Sequence, residues 1–276
     1  MIALSPQYQF NYYQLETVIY WAIIVIFGIA LFFLGLTLSK KLRRIKELKC
    51  RQALQKRIDS LLFEMLFTDI PVEEVVNSPE FQKNLQSVLF QRVTIKAIIG
   101  LHHNYSGNYS KKLEQFYAES GLASYSLKKL NSSQWPHVVE GIRDLSSLNY
   151  QKAYPRIVSL QNHKSTFVQT EVLLGMIKLK GIAEILKFRN KSLYLNDWVQ
   201  SNILFSVKKH RISAPDDLSD LLESKNNSIV LLAIRLMNYY KKAEHYDALL
   251  VFYQQTKNLQ LKKEIALVLE KTEYIN

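Results

Sequence analysis

The stretch NHKSTFVQTEVLLGMIKLKG (Asn162–Gly181) carries the pattern that decides the fold. Ser165 is a preferred N-cap type, and behind it runs a helix of the form V-x-x-E-x-x-L, with Val168, Glu171 and Leu174 in the marked places. Its apolar residues recur at helical rather than strand spacing. Working outward, the chain repeats itself. Trp135, Phe167, Trp198, Val230 and Leu261 are separated by 32, 31, 32 and 31 residues. Ser133, Ser165, Asn196 and Ser228 stand two positions before the first four, and Asn258 three before the fifth, each a capping type. Every unit opens with a longer helix, such as NDWVQSNILFSVKK or SIVLLAIRLMNYYKK. A shorter one follows, such as GIAEILKFR or APDDLSDLLES. One helix pair cannot bury its own apolar faces, so a period near 31 predicts an all-α chain whose residues 133–276 form an α-α solenoid. Repeat-registered tryptophans, Trp135 and Trp198, are expected in its core.

This repeat resembles the HEAT-repeat (armadillo/HEAT-like α-solenoid) superfamily. The likeness is strongest in Asn162–Gly181 and in NLQLKKEIALVLEK (Asn258–Lys271), where a capped turn precedes the first helix. The turn proline common in that superfamily is absent, and Gln169 stands where its arginine would be. The whole chain is similar to membrane-anchored bacterial HEAT-repeat proteins. The resemblance implies a superhelical binding surface for another protein.

The membrane part of that likeness rests on Val18–Leu38, VIYWAIIVIFGIALFFLGLTL, which contains no charge. At about 1.5 Å per residue such a helix crosses the roughly 30 Å hydrocarbon core of a bilayer. Tyr20 and Trp21 fit an aromatic belt at one interface, and Lys40, Lys41, Arg43, Arg44 and Lys46 mark the other. Residues 40–57 hold nine basic side chains against Glu47 alone, and so account for +8 of the net charge of +12. Residues 1–17 carry no Lys or Arg, and no A-x-A site follows the apolar run, unlike a cleaved signal peptide. The positive-inside rule then predicts a short extracytoplasmic segment (1–17), a transmembrane helix (18–38) and a basic juxtamembrane helix (39–57). A helical connector (58–132) and the cytoplasmic solenoid (133–276) follow. The connector is expected to include one long helix over FQKNLQSVLFQRVTIKAIIGLHH, residues 81–103. Cys50 is the lone cysteine, which excludes an internal disulfide and a cysteine-based zinc site.

Motifs of catalysis are absent: no P-loop, no G-x-G-x-x-G, no G-x-S-x-G and no H-E-x-x-H occur. No catalytic residue, cofactor or metal is therefore assigned, and the chain is not expected to be an enzyme. His102 and His103 read as residues of a helix C-terminus, and Asp216, Asp217, Asp220 and Glu223 as acids of a helix first turn. Basic residues in Leu186–Lys191 and Lys208–Arg211 are too few to point to nucleic acid. Lys187, Arg189, Lys191, Tyr239 and Tyr240 are the candidate partner-binding residues. The expected function is that of a membrane-anchored scaffold holding a membrane-proximal protein partner, with nucleic acid and small molecules not expected as ligands. The runner-up is an enzyme with a site in residues 58–132, near His103 or Glu114, regulated by the repeats. Membrane tethering of nucleic acid is the third reading.

Overall fold

A computed structural model describes residues 6–68, 70–210 and 212–273. Among these every regular element is helical and none is a strand. The chain divides into two compact units, Met1–Ser60 and Leu61–Asn276.

The first unit is built from one helix, α1 (Pro6–Phe67), which continues into the second. Proline at its first position is compatible with a helix start, no proline interrupts it, and Pro71 follows its end. The two hydroxyl residues closing the apolar run satisfy themselves within the helix. Thr37 Oγ1 donates to the Phe33 carbonyl at 2.8 Å and Ser39 Oγ to that of Leu36 at 3.0 Å. Among the described residues α1 is the one helix long and apolar enough to cross a membrane, and none of its apolar window is buried. Tyr20, Trp21, Lys40, Lys41, Arg43, Arg44, Lys46 and Cys50 are all exposed along it.

The second unit begins with α2 (Val72–Asn77), α3 (Pro79–Leu85), α4 (Val88–Asn104), α5 (Asn108–Glu119) and α6 (Leu122–Lys129), of which α4 is the longest at 17 residues. The single long helix expected over 81–103 is broken at Gln86–Ser87. Ser87 turns extended and its hydroxyl accepts from Phe90 N–H, so a new cap restarts the helix as α4. Phe81 of α3 meets Phe90 and Phe116 edge-on at 5.5 and 5.4 Å, and this aromatic knot is the local core.

Five regularly spaced helices follow: α7 (Trp135–Ser147), then, after the short α8 (Tyr154–Val158), α9 (Thr166–Lys180), α10 (Asp197–His210), α11 (Asn227–Tyr240) and, after α12 (Ala243–Gln255), α13 (Leu259–Glu273). These five start 30 to 32 residues apart. Between them run 3-10 segments at Ile182–Phe188 and Asp216–Glu223, where α-helices were expected. Capping follows the expected residues only in part. Asn196 Oδ1 accepts from Val199 N–H at 3.0 Å, and Asn258 Oδ1 from Gln260 N–H at 3.0 Å. Ser165 holds the cap position without a side-chain bond, Ser133 lies outside its helix, and Asn226 caps α11 in place of Ser228.

The expected core anchors are also corrected. Trp135 is 43% exposed, Phe167 64% and Trp198 65%, whereas Val230 and Leu261 are buried. Measured from each helix start, Trp135 is first, Phe167 and Trp198 second, Leu261 third and Val230 fourth, so the five are not structurally equivalent. One residue is about 100° of helix. Val168 and Val199 therefore turn inward where Phe167 and Trp198 turn out, and Val138 does the same in α7.

Two ion pairs recur at matched helix positions. Arg143, ninth in α7, chelates Glu171, sixth in α9, at 3.2 and 2.7 Å. Arg235, ninth in α11, reaches Glu264, sixth in α13, at 3.2 Å. Closer still is the junction of α6 and α7. A Cβ on Gly141 would lie 2.8 Å from the Ser126 carbonyl and 2.9 Å from Lys129 Cβ. Beside it Lys129 and Asp144, each 8% exposed, pair at 2.7 Å, with Ser126 donating to Asp144 at 3.1 Å.

Gly141→Ala is expected to destabilise the full chain by about 1–2 kcal/mol. Overpacking against immovable backbone costs about 1–3 kcal/mol, against about 1 kcal/mol of helix propensity gained. Gly100→Ala in α4, where an added Cβ meets nothing within 4 Å, should instead be neutral or stabilising by up to about 1 kcal/mol. Thermal unfolding in detergent, followed by circular dichroism, checks the opposite signs.

Candidate functional site

Three of the candidate partner-binding residues share one region but are already engaged. Lys187 Nζ bonds Glu184 at 2.8 Å and the Tyr154 hydroxyl at 2.9 Å, and these bonds raise its pKa. Arg189 pairs with Asp220 at 3.6 Å and with Glu223. Lys191 Nζ donates to Asn162 Oδ1 at 2.6 Å. Arg189 and Lys191 line an open groove with Lys225 and Asn226, and Asn226 ties it together by donating to the Lys191 and Leu193 carbonyls at 3.0 and 2.7 Å. Two of the expected first-turn acids, Asp220 and Glu223, thus neutralise the neighbouring unit's arginine. The tyrosines do not join this groove. Tyr239 is exposed at the end of α11, while Tyr240 donates to the Ile212 carbonyl at 2.9 Å and burial pushes its pKa up to about 12. Arg211 of the second basic helix end lies outside the described residues.

The exposed aromatics form a better surface. Trp135 and Phe167 stack with ring centroids 4.8 Å apart and 15° between planes. Trp198 occupies in α10 the second position that Phe167 occupies in α9. All three project from helix starts, and the inward-turned valines explain why. Periodicity made them look like core, because it locates an apolar face only to within about one residue of rotation.

A second feature had no sequence signal strong enough to find it. A cavity of about 250 Å³ is lined by His102, His103, Glu114, Ser147, Lys178 and Lys209, together with Ser146, Asn149, Gly181 and two isoleucines. It draws on the last turns of α4, α7, α9 and α10. His103 and Glu114, named for a possible site in 58–132, both line it along with His102, but the rest of the wall comes from residues 146–212. Glu114 is held from both sides, by His102 Nε2 at 2.9 Å and by Asn149 Nδ2 at 3.2 Å. Asn149 adopts φ of 49°, a left-handed conformation that asparagine tolerates, and this turns its amide toward α5. Gln151 fixes the other end of that amide at 2.6 Å and reaches the Leu179 carbonyl at 2.9 Å.

Lys178 is the unusual member. Its Nζ donates to Ser147 Oγ at 3.3 Å, and among the described residues it forms no ion pair. Burial pushes its pKa below the ordinary lysine range, Arg143 and Lys209 push the same way, and Glu171 opposes. Glu171 is itself spent on Arg143. Lys209 Nζ donates to the His103 carbonyl at 3.2 Å. The arrangement is a polar pocket with two ammonium groups and one carboxylate already committed to other partners. The available sequence cue was that Lys178 stands seven residues after Glu171, on the same face of α9.

No family model matches the chain, and no curated protein matches it. Among solved structures, the crystal structure of an engineered protein is similar at 14% identity with a TM-score of 0.24, over 79% of this chain and 97% of that one. A likeness of that size carries no argument about fold or function.

Lys178→Met should be more stable than the parent chain at neutral pH, because the parent holds a charged ammonium in a site that disfavours it. That advantage should shrink as pH rises through the lowered folded pKa toward the ordinary value near 10.4, where the ammonium is lost in both states. Melting temperatures of the two chains across pH 6–10 check the sign. A constant difference would show that Lys178 does not titrate in this window.

Proposed function

We propose that the chain is a membrane-anchored adaptor that holds a protein partner at the bilayer. Val18–Leu38 serves as the anchor, and the basic residues 40–57 face the cytoplasm, some of them against anionic headgroups at about 1 kcal/mol each. The helix pairs of residues 133–276 stack as a HEAT-like solenoid. Regular helix starts and the ion pair repeated from α7–α9 to α11–α13 support that reading. The observation that carries the binding role is the exposed aromatic edge of Trp135, Phe167 and Trp198. Large aromatic side chains are the residues that most often dominate binding energy, and a stacked pair has already lost much of its freedom before a partner arrives. Confinement to the membrane plane raises the effective concentration of whatever is bound. Lys187, Arg189 and Lys191 belong to the rim of such a surface rather than its centre, since their charges are largely satisfied within the chain.

Cys50 provides a native reporter of orientation, being exposed and alone. A membrane-impermeant maleimide should label it only after cells are permeabilised. Labelling in intact cells would reverse the proposed topology. Replacing Trp135, Phe167 and Trp198 together by Ala should leave folding intact and reduce recovery of the partner from detergent extracts by about tenfold or more. Undiminished recovery would move the binding surface elsewhere.

A further inference from the structure

The cavity among the last turns of α4, α7, α9 and α10 is independent of the proposed adaptor surface. We propose that it is a binding site for a phosphate group, with Lys178 and Lys209 as its charged contacts and Ser147 as a hydroxyl contact. A charged group withdrawn from water is costly unless an opposite charge accompanies it. Lys178 is half-buried and Lys209 exposed. Among the described residues Lys178 has no carboxylate in ion-pair contact, and its neighbour Glu171 is chelated by Arg143 at 2.7 Å. Glu114, the carboxylate on the cavity wall, is taken by His102 and Asn149. The lining therefore sets two ammonium groups, Lys178 and Lys209, against one carboxylate, and an added anion would answer the excess.

The helix ends around it argue the other way in principle, because their carbonyls carry partial negative charge. Some of those carbonyls are already hydrogen-bonded within the chain. Tyr105 N–H closes on the Leu101 carbonyl at 2.9 Å, Tyr150 on Leu145 at 2.9 Å, Gly181 on Ile177 at 2.8 Å and Ile212 on Val207 at 3.1 Å. Lys209 takes the His103 carbonyl itself. Half-charges that are already hydrogen-bonded do not offset two full ammonium charges within one pocket. The lowered pKa of Lys178 agrees with this balance. The volume suits a small ligand, lying just under the roughly 300 Å³ at which drug-sized pockets begin. Donors approach from α7, α9 and α10, which matches a tetrahedral oxyanion that accepts from several directions better than a planar carboxylate.

The source of the phosphate separates into a free phosphate or small phosphomonoester and a monoester lipid headgroup. The full chain is purified in a nonionic detergent without phospholipid, and its melting temperature is followed while inorganic phosphate replaces chloride at constant ionic strength. A saturable rise is expected. Lys209→Met should weaken the apparent affinity about tenfold, as loss of one charge-assisted contact does, and Lys178→Met should abolish the saturable response while remaining folded. In nanodiscs, phosphatidic acid that raises the melting temperature and makes added phosphate ineffective identifies the headgroup as ligand. Phosphate that still acts in its presence identifies the soluble source. No saturable response in the parent chain from either source, or equal responses in the parent, Lys178→Met and Lys209→Met chains, overturns the site.

Discussion

The close approach of α6, α7 and α9 at Gly141 and Gly175 is the constraint on which the rest of the helical unit depends. A side chain at 141 would collide with the Ser126 carbonyl, and one at 175 would press to 3.0 Å from Ile142 Cγ2. Because those helices meet so closely, Lys129 reaches Asp144 at 2.7 Å out of water. Burial drives the Asp144 carboxyl above its usual range, Lys129 and Ser126 oppose this, and Glu140 adds to it. Such a pair contributes little net stability over an apolar replacement, but either partner left alone would be strongly destabilising. It therefore fixes how α6 faces α7. The same approach lays Arg143 on Glu171 and brings the tail of α7 beside the tail of α9, where Ser147 meets Lys178. The cavity follows from the glycine contacts rather than from any local motif.

The helical class, the apolar span and the spacing of the long helices could be read from residues, because each rests on local chemistry repeated many times. Caps were legible where the side chain is the first polar group before the helix, as at Asn196 and Asn258, and failed where a second candidate competed. Asn226 displaces Ser228 because its amide also donates to the Lys191 and Leu193 carbonyls, bonds that no local rule foresees. Similarly, a spacing of 31 or 32 residues looks regular for Phe167 and Val230, although the helices start at different offsets from them. One step of rotation then separates a buried valine from an exposed tryptophan. Lys178 and Lys209 were illegible as a pair for a different reason: their meeting depends on how α9 and α10 pack.

Charge tells a parallel story. Outside residues 40–57 the net excess is small, and several basic residues of the second unit are held in specific partnerships. Arg189 is satisfied by acids 31 and 34 positions later, Arg235 by Asp197 at 2.8 Å and Glu264, and Lys187 by Glu184. Each is at least partly exposed, so each contributes modestly, on the order of 1 kcal/mol or less. Their effect on function is larger than their effect on stability, since a neutralised stripe presents little field to a polyanion. Against this background Lys178 stands apart as a half-buried ammonium whose pKa burial lowers.

The aromatic edge and the cavity belong to the same helices at opposite ends. Trp135, Phe167 and Trp198 occupy the first or second positions of α7, α9 and α10. Ser147, Lys178 and Lys209 occupy the last turns of those three helices. Helices of 13 to 15 residues are about 20 Å long, so the two surfaces lie about that far apart along stiff rods. A protein docked on the aromatic edge would leave the cavity accessible, and a phosphate in the cavity would leave the edge uncovered. Any influence of one on the other must then pass through the packing of α7 against α9, whose interface at Gly175 has almost no slack. Interfaces that tight move as units rather than deform.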